Sequence, residues 1–550
     1  MKVTVRAEPE SGERLRTFRA RKLKVTVERM KKHYLPILLI ALASQCLAQQ
    51  APYSTRIDRN ISIFNDVFRQ LDISYTDTLN YDNLTESALN GMLREIDPYT
   101  VYVPESKEDD LKRMTTGKYG GIGALIMQRQ DNDYICISDP YEGLPAQRNG
   151  VLAGDVILQV DGKDCKGMTT AEVSALLRGK AGTTVKLKLS RRQLADSLST
   201  GKRQQKSKNN SIIYKEFIRE EIKLPTVDYS AMLSPTMGYI SFSEFTENSS
   251  RDFKYALDSL ADLGCKSLII DLRGNGGGLI TEAISIVSLF VPKGIEVVST
   301  KGKMLNSSRV YKTTTPPAYP DMPLYVLTDE HSASASEITC GALQDLNRAT
   351  LIGKKTFGKG LVQNIRNVAY GGHLKVTTAK YYLPSGRCIQ GTGIEPDITI
   401  DDSTKINICY ELYRKNMFFD YATLYAQTHA DYPKPNTYIT TKSEIDTALI
   451  KDFEAFLEDK EFTYETETSK FFSDLLKIAE QEDLDSTIIA ELHDTQSRLQ
   501  TTAHNALWKN AADVQNFLEQ EIVSRYYYQN GRTCIKLRQD PYLSALDFSK

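Results

Sequence analysis

The chain has 550 residues, with 69 Lys and Arg against 70 Asp and Glu, a formal net charge of −1. Hydrophobic residues make up 41%, charged residues 25%, and the mean hydropathy is −0.37, which excludes a wholly disordered chain and a polytopic membrane protein. The length predicts several domains, and the near-zero charge removes the usual electrostatic case for a nucleic-acid partner.

The charge is unevenly spread. Residues 1–29 carry nine basic and four acidic side chains, a local excess of +5 that leaves −6 for the rest. Met30-Lys31-Lys32 then opens a basic segment followed by the apolar run Leu35 to Ala43, with the small residues Cys46 and Ala48 behind it. This order predicts a secretory leader over 1–48, cleaved near Ala48, and an exported, periplasmic mature chain. A run this short predicts no permanent membrane span, which needs roughly 20 apolar residues.

Over 49–114 apolar residues recur at threes and fours (Ile61, Phe64, Val67, Phe68, Leu71, then Leu84 to Ile96) until Asp97-Pro98 stops them, which predicts a helical cap. Residues 115–191 change to short β-type runs, 124–127, 134–138, 156–160 and 185–189, with one helix at Thr170 to Leu177. Residues 192–211 are polar and basic and read as a linker loop. Strands and helices alternate over 212–400, predicting an α/β core, and 401–550 reads as a mainly helical extension.

Eight cysteines lie scattered without a CxxC pair and six histidines form no HExxH or similar ligand pair. Neither metal site nor cofactor is predicted, a dense disulfide framework is excluded, and a His-based triad is disfavoured.

The informative segment is Thr328 to Gln363, TDEHSASASEITCGALQDLNRATLIGKKTFGKGLVQ. A strand ends, small residues follow, and a helix begins, so the serines meet a helix N-terminus whose free N–H groups favour an oxyanion. A Ser-rich helix cap would explain SASASE equally well on its own. Lys359 lies between Gly358 and Gly360, 25 positions after Ser334, with Gln363 four further on. A lysine serves as general base only when burial or a cationic neighbour lowers its pKa from about 10.4, and a third group such as Gln363 can orient it. GKKTFGKG lacks the spacing and the Ser/Thr of a phosphate-binding P-loop. A glycine cluster, Asp271-Leu272-Arg273-Gly274-Asn275-Gly276-Gly277-Gly278, ends the most apolar strand of the core and offers backbone donors to a ligand.

From roughly Phe64 to Ile400 the chain resembles the carboxy-terminal processing, or tail-specific, proteases. The resemblance is carried by GMLREIDPYT, YGGIG, GLPAQRNGVLAGDVILQVDGKD, LRGKAGT, DLRGNGGG, SASASE, RATLIGKKTFGKGLVQ and PSGRCIQGTGIEPD in order. It implies an α/β multidomain fold with a crotonase/ClpP-like protease core, an inserted PDZ-like β-rich domain, an N-terminal helical cap and a helical C-terminal extension. It further implies Ser334 as nucleophile, Lys359 as general base, Gln363 as orienting residue, and the amides of Ala335 and Gly277 as oxyanion donors. In the PDZ-like part it implies that Gly121-Ile122-Gly123 and the 170–177 helix receive a peptide C-terminus, and that Arg178 couples docking to the site. Expected partners are therefore protein tails, with the 401–550 extension a candidate for self-association or adaptor docking. A catalytically inactive peptide-binding scaffold and an exported small-ligand carrier are the rival readings.

Overall fold

The computed structural model describes residues 55–129, 133–192, 210–304, 307–401, 407–439, 444–499 and 502–546. The expected leader, its cleavage point and nearly all of the 192–211 linker lie outside these. The chain divides into two units, Met1–Leu89 and Asn90–Lys550.

In the first unit residues 55–74 are helical and Tyr81 opens a second helix, Tyr81–Arg94, which runs across the divide. Tyr81 Oη donates to Asp72 Oδ1, tying the two helices, and Phe64 stacks on Phe68 at 5.4 Å. Of the periodic apolar residues that predict this helix, Ile61, Phe64 and Val67 are exposed.

The second unit begins with the end of the Tyr81–Arg94 helix, where Asn90 Oδ1 accepts the Tyr102 N–H at 2.8 Å. The predicted helical cap is corrected here: Val101–Val103 is a strand paired antiparallel with Lys375, Leu374 and His373, so this part of the predicted cap belongs to a core sheet. The short helix Glu108–Thr116 follows and ends at Gly117, whose φ of 68° is the left-handed cap that glycine accommodates.

The β-rich module is a sheet in the order 124–128, 135–140, 156–160, 184–192, 210–218, with Lys163–Asp164 added beside 156–160. Alternation sets its faces: Val185, Leu187 and Leu189 are buried while Lys186 points outward. The helix Thr170–Leu177 forms where predicted, its start held by a capping box between Thr169 and Glu172. A second correction concerns the boundary at 212. Asn210–Ile218 pairs along its whole length with Thr184–Arg192, and Glu220–Lys223 pairs with Lys118–Gly121, so the module runs to about 223. The polar composition of 192–211 marks a connection between two paired strands, which sequence alone reads as a border.

The α/β core follows prediction closely. Its sheet has the order 227–232, 237–242, 267–271, 324–328, 349–353, 398–399, parallel except for the first pair. Helices Ser249–Asp262, Ile280–Val287 and Ala335–Asp345 cover one face around Ile240, Phe253, Leu257, Ile270 and Ile338. A second sheet joins 101–103, 373–382, 296–302 and 309–312, with 361–367 on 373–382.

The other face of the parallel sheet is covered by the end of the chain. Tyr239, Ile269, Leu327 and Ile352 pack with Cys534, Leu537, Tyr542 and Leu543. The extension is helical as predicted, with Ala503–Lys509 separated at Asn510 from Ala511–Leu537, which is itself kinked where Tyr527 and Tyr528 take non-helical dihedrals. Trp508 packs at the edge of the helical core with its Nε1 donating to Glu454 at 3.2 Å. Among the described residues seven cysteines are free thiols, no cluster suits a metal ion, and no helix is long and apolar enough to cross a membrane.

Candidate active site

The site lies at the carboxyl ends of the neighbouring parallel strands Ser267–Asp271 and Leu324–Thr328, where open α/β sheets place ligands. The three serines of SASASE separate by hydrogen bonding. Ser332 Oγ donates to the Leu272 carbonyl at 2.8 Å and Ser336 Oγ to that of Asn275 at 2.9 Å, both wholly buried. The Ser334 hydroxyl has no acceptor among the described residues. Ser334 also has φ 57° and ψ −113°, a conformation costly for a residue with a Cβ, at the turn into helix Ala335–Asp345.

Two side chains staple the Ser334 turn to the Lys359 loop. Buried Glu337 accepts the N–H groups of Ser334 and Lys359 at 2.8 Å each on one oxygen, and on the other the Gly358 N–H at 2.7 Å and the Thr356 hydroxyl at 2.6 Å. Burial raises its pKa, and these hydrogen bonds oppose the rise. Tyr381 Oη lies within hydrogen-bonding reach of the Ser334 carbonyl, at 3.1 Å, and of the Lys359 carbonyl. Serine and lysine are thus fixed to each other through their backbones.

Burial brings the Lys359 amine down to about 8, helped by the nearby Lys375 and opposed by the carboxylates of Glu337 and Asp97. The Tyr99 ring lies 4.8 Å from Nζ. Tyr99 reaches this place because Asp97 accepts the N–H groups of Tyr99 and Thr100 at 2.8 and 2.7 Å, and the next residues enter the sheet. Gln363 departs from expectation: a bulge at Val362/Gln363 shifts the strand, and its Nε2 donates to Thr377 Oγ1 at 3.3 Å with no bond to the Lys359 amine.

Gly277 packs directly against the Ser334 turn. A Cβ there would lie 2.7 Å from the Ala335 nitrogen and 2.8 Å from the Ser334 Cβ, at a φ of +94°, so only glycine fits. Its own N–H, however, donates to Asn275 Oδ1 at 2.9 Å, while the Ala335 N–H at the helix start has no acceptor among the described residues.

In the β-rich module the strand Ala124–Gln128 is a sheet edge, beside helix Thr170–Leu177. Before it, Gly121 closes the pairing with Glu220, and the N–H groups of Ile122 and Gly123 have no acceptor among the described residues. Gly123 has φ +70° against Leu144. Arg178 lies 5.3 Å over the Tyr119 ring and 3.8 Å from Asp110, touching none of Ser334, Lys359 or Gln363.

The pattern of peptidase family S41 matches residues 236–400, that of a PDZ domain 137–191, and that of a "Probable PDZ-protease, C-terminal helical domain" 408–545. The carboxy-terminal-processing protease of Bartonella bacilliformis is 36% identical over 347 residues, covering 62% of this chain and 75% of its own. The chain belongs to the carboxy-terminal-processing proteases. A probable CtpA-like serine protease of Staphylococcus aureus is 35% identical over 62% of this chain and 65% of its own length. The solved photosystem II D1 C-terminal processing protease is 27% identical over 61% of this chain and 86% of that one, with a TM-score of 0.35.

For this protease, a serine-type peptidase with a PDZ domain, the sequence reading missed Glu337, Tyr381, Tyr99 and Lys375. Only Glu337 left a signal, the Ser-x-x-Glu spacing of Ser334 and Glu337 inside SASASE. The others reach the site through strand pairing and loop packing distant in sequence.

Proposed function

We propose that the protease is exported and cuts protein tails with a Ser334/Lys359 dyad through an acyl-enzyme. The observation that carries this reading is the double staple of Glu337 and Tyr381, which holds a serine whose hydroxyl has no acceptor among the described residues near a half-buried lysine brought down to about 8. Neutral Lys359 takes the hydroxyl proton as Ser334 Oγ bonds to the scissile carbonyl carbon, and the ammonium returns that proton to the leaving amine. Water then attacks the ester with Lys359 again as base, releasing the acid and restoring the serine. The Ala335 N–H stabilises the oxyanion together with a donor of the glycine loop. Gly277 fills that role if its N–H is shared between Asn275 and the oxyanion, and Gln363 orients the lysine from its anchor on Thr377.

Tail recognition rests on the edge strand Ala124–Gln128, which offers a place for strand addition, and on the unengaged N–H groups of Ile122 and Gly123, which suit a terminal carboxylate. Arg178 transmits docking through Tyr119 and the strand Lys118–Gly121 that joins the PDZ domain to the core. Export to the periplasm is supported by the basic-then-apolar order of 30–43. Purified Ser334→Ala and Lys359→Ala variants, folded by circular dichroism, should lose cleavage of an unfolded test protein; full activity of Lys359→Ala refutes the mechanism. A peptide-binding scaffold without chemistry predicts no turnover by the unaltered protein.

A further inference from the structure

We propose that Asp540, delivered by the C-terminal helical region, is a positioning residue for the peptidase reaction, holding Arg273 and through it the glycine loop against Ser334. This rests on Ser334 as the nucleophile.

The Arg273 guanidinium is clamped between two carboxylates. Nη1 and Nη2 reach the two oxygens of Asp540 at 3.0 and 2.7 Å, and Nε reaches those of Asp271 at 2.9 and 3.0 Å. The Tyr542 ring lies 4.5 Å over the same guanidinium, and the Tyr542 N–H bonds back to Asp540 at 2.9 Å. Asp540 is only 2% exposed and Arg273 17%. Asp271 alone neutralises the arginine, and buried ion pairs are weak sources of stability, so a second buried carboxylate points to a demand on geometry.

That geometry leads to the site. Arg273 begins the loop whose Gly274 N–H bonds both oxygens of Asp329 at 3.0 Å, and whose Asn275 carbonyl accepts the Ala333 N–H at 3.0 Å and the Ser336 hydroxyl. At its far end Gly277 sits so close to Ser334 that no methyl group fits between them. A loop packed this tightly has no slack, and donors misplaced by a fraction of an ångström lose most of their effect on an oxyanion. The tail is also wedged at the ends of the catalytic strands, where a Cβ on Gly353 would lie 2.6 Å from the Tyr542 ring.

The test uses the full chain with Asp540→Asn, Asp540→Ala and Tyr542→Ala, and Ser334→Ala as reference. Measurements are kcat and KM on an unfolded polypeptide with an apolar C-terminus, the rate of covalent labelling by a fluorophosphonate, and affinity for a C-terminal peptide. Both Asp540 variants should lose tenfold or more in kcat and in labelling rate, with KM and peptide affinity within twofold of the unaltered protein; Tyr542→Ala should change in the same direction. An Asp540→Ala enzyme with kcat within twofold overturns the proposal, as does a fall in kcat accompanied by a raised KM and weakened peptide binding, which marks general loss of structure. An inactive unaltered protein, or an active Ser334→Ala variant, instead refutes the underlying peptidase reading.

Discussion

Lys375 offers a direct handle on the chemistry. It lies on the strand His373–Tyr382, half-buried, and its charge is the second cause, after burial, of the lowered Lys359 pKa. In the proposed mechanism the active form of the base is the neutral amine. With a pKa of about 8, roughly one-tenth of Lys359 is neutral at pH 7, against about 1 in 3,000 at its ordinary value of 10.5. Activity should therefore rise with pH, tenfold per unit below about 8, and level off above it. Lys375→Met removes a like charge and keeps most of the side-chain volume. The pKa of Lys359 must rise, and a change of about one unit, ordinary for a neighbouring charge, removes about nine-tenths of the neutral lysine at pH 7. The assay is the pH profile of kcat/KM for both proteins. The variant should be about tenfold slower at pH 7 and approach the unaltered protein above pH 9, with its rising limb displaced to higher pH. An unmoved limb, or a loss equal at every pH, refutes the electrostatic role of Lys375.

Glu337→Gln keeps the shape of the staple but turns an amide NH2 toward backbone donors. Losing two of its four buried hydrogen bonds, at about 1–3 kcal/mol each, predicts a loss of activity of at least thirtyfold and a lower thermal midpoint, read by peptide cleavage and calorimetry. For the PDZ domain, C-terminal amidation of a bound peptide should weaken it at least tenfold in fluorescence anisotropy, since the Ile122 and Gly123 N–H groups then face no carboxylate. Arg129 pairs with Asp420 of the helical region at 2.6 and 3.0 Å, both nearly buried, while Lys460 lies 3.5 Å from the same carboxylate. Arg129→Ala should therefore cost about 3 kcal/mol or less in denaturant unfolding, Lys460 retaining part of the compensation.

Much of this was legible from residue order. Periodicities of two and of three to four placed most of the PDZ strands, the Thr170–Leu177 helix and the α/β alternation of the core, because local backbone preference and one-sided burial agree there. Glycine clusters marked the loop beside the serine, since a missing Cβ is a local property that close approach demands. The helix of the first unit shows the limit of the same signal: its apolar stripe is present in the sequence and yet exposed.

What only the tertiary structure decided depends on pairing between distant segments. The strand Asn210–Ile218 belongs to the PDZ sheet because its ladder partner is Thr184–Arg192, and the polar stretch between them conceals that. Tyr99 faces Lys359 because Val101–Val103 joins a strand some 270 residues later, and Gln363 turns to Thr377 because a bulge shifts the register. The C-terminal extension carries no motif, yet it covers one face of the catalytic sheet and brings Asp540 to Arg273. Sequence by itself determined the family and singled out Ser334 and Lys359 as candidates. The fold decided which carboxylates, amines and amides surround them, since electrostatic environment depends on ångström distances between segments far apart in the chain.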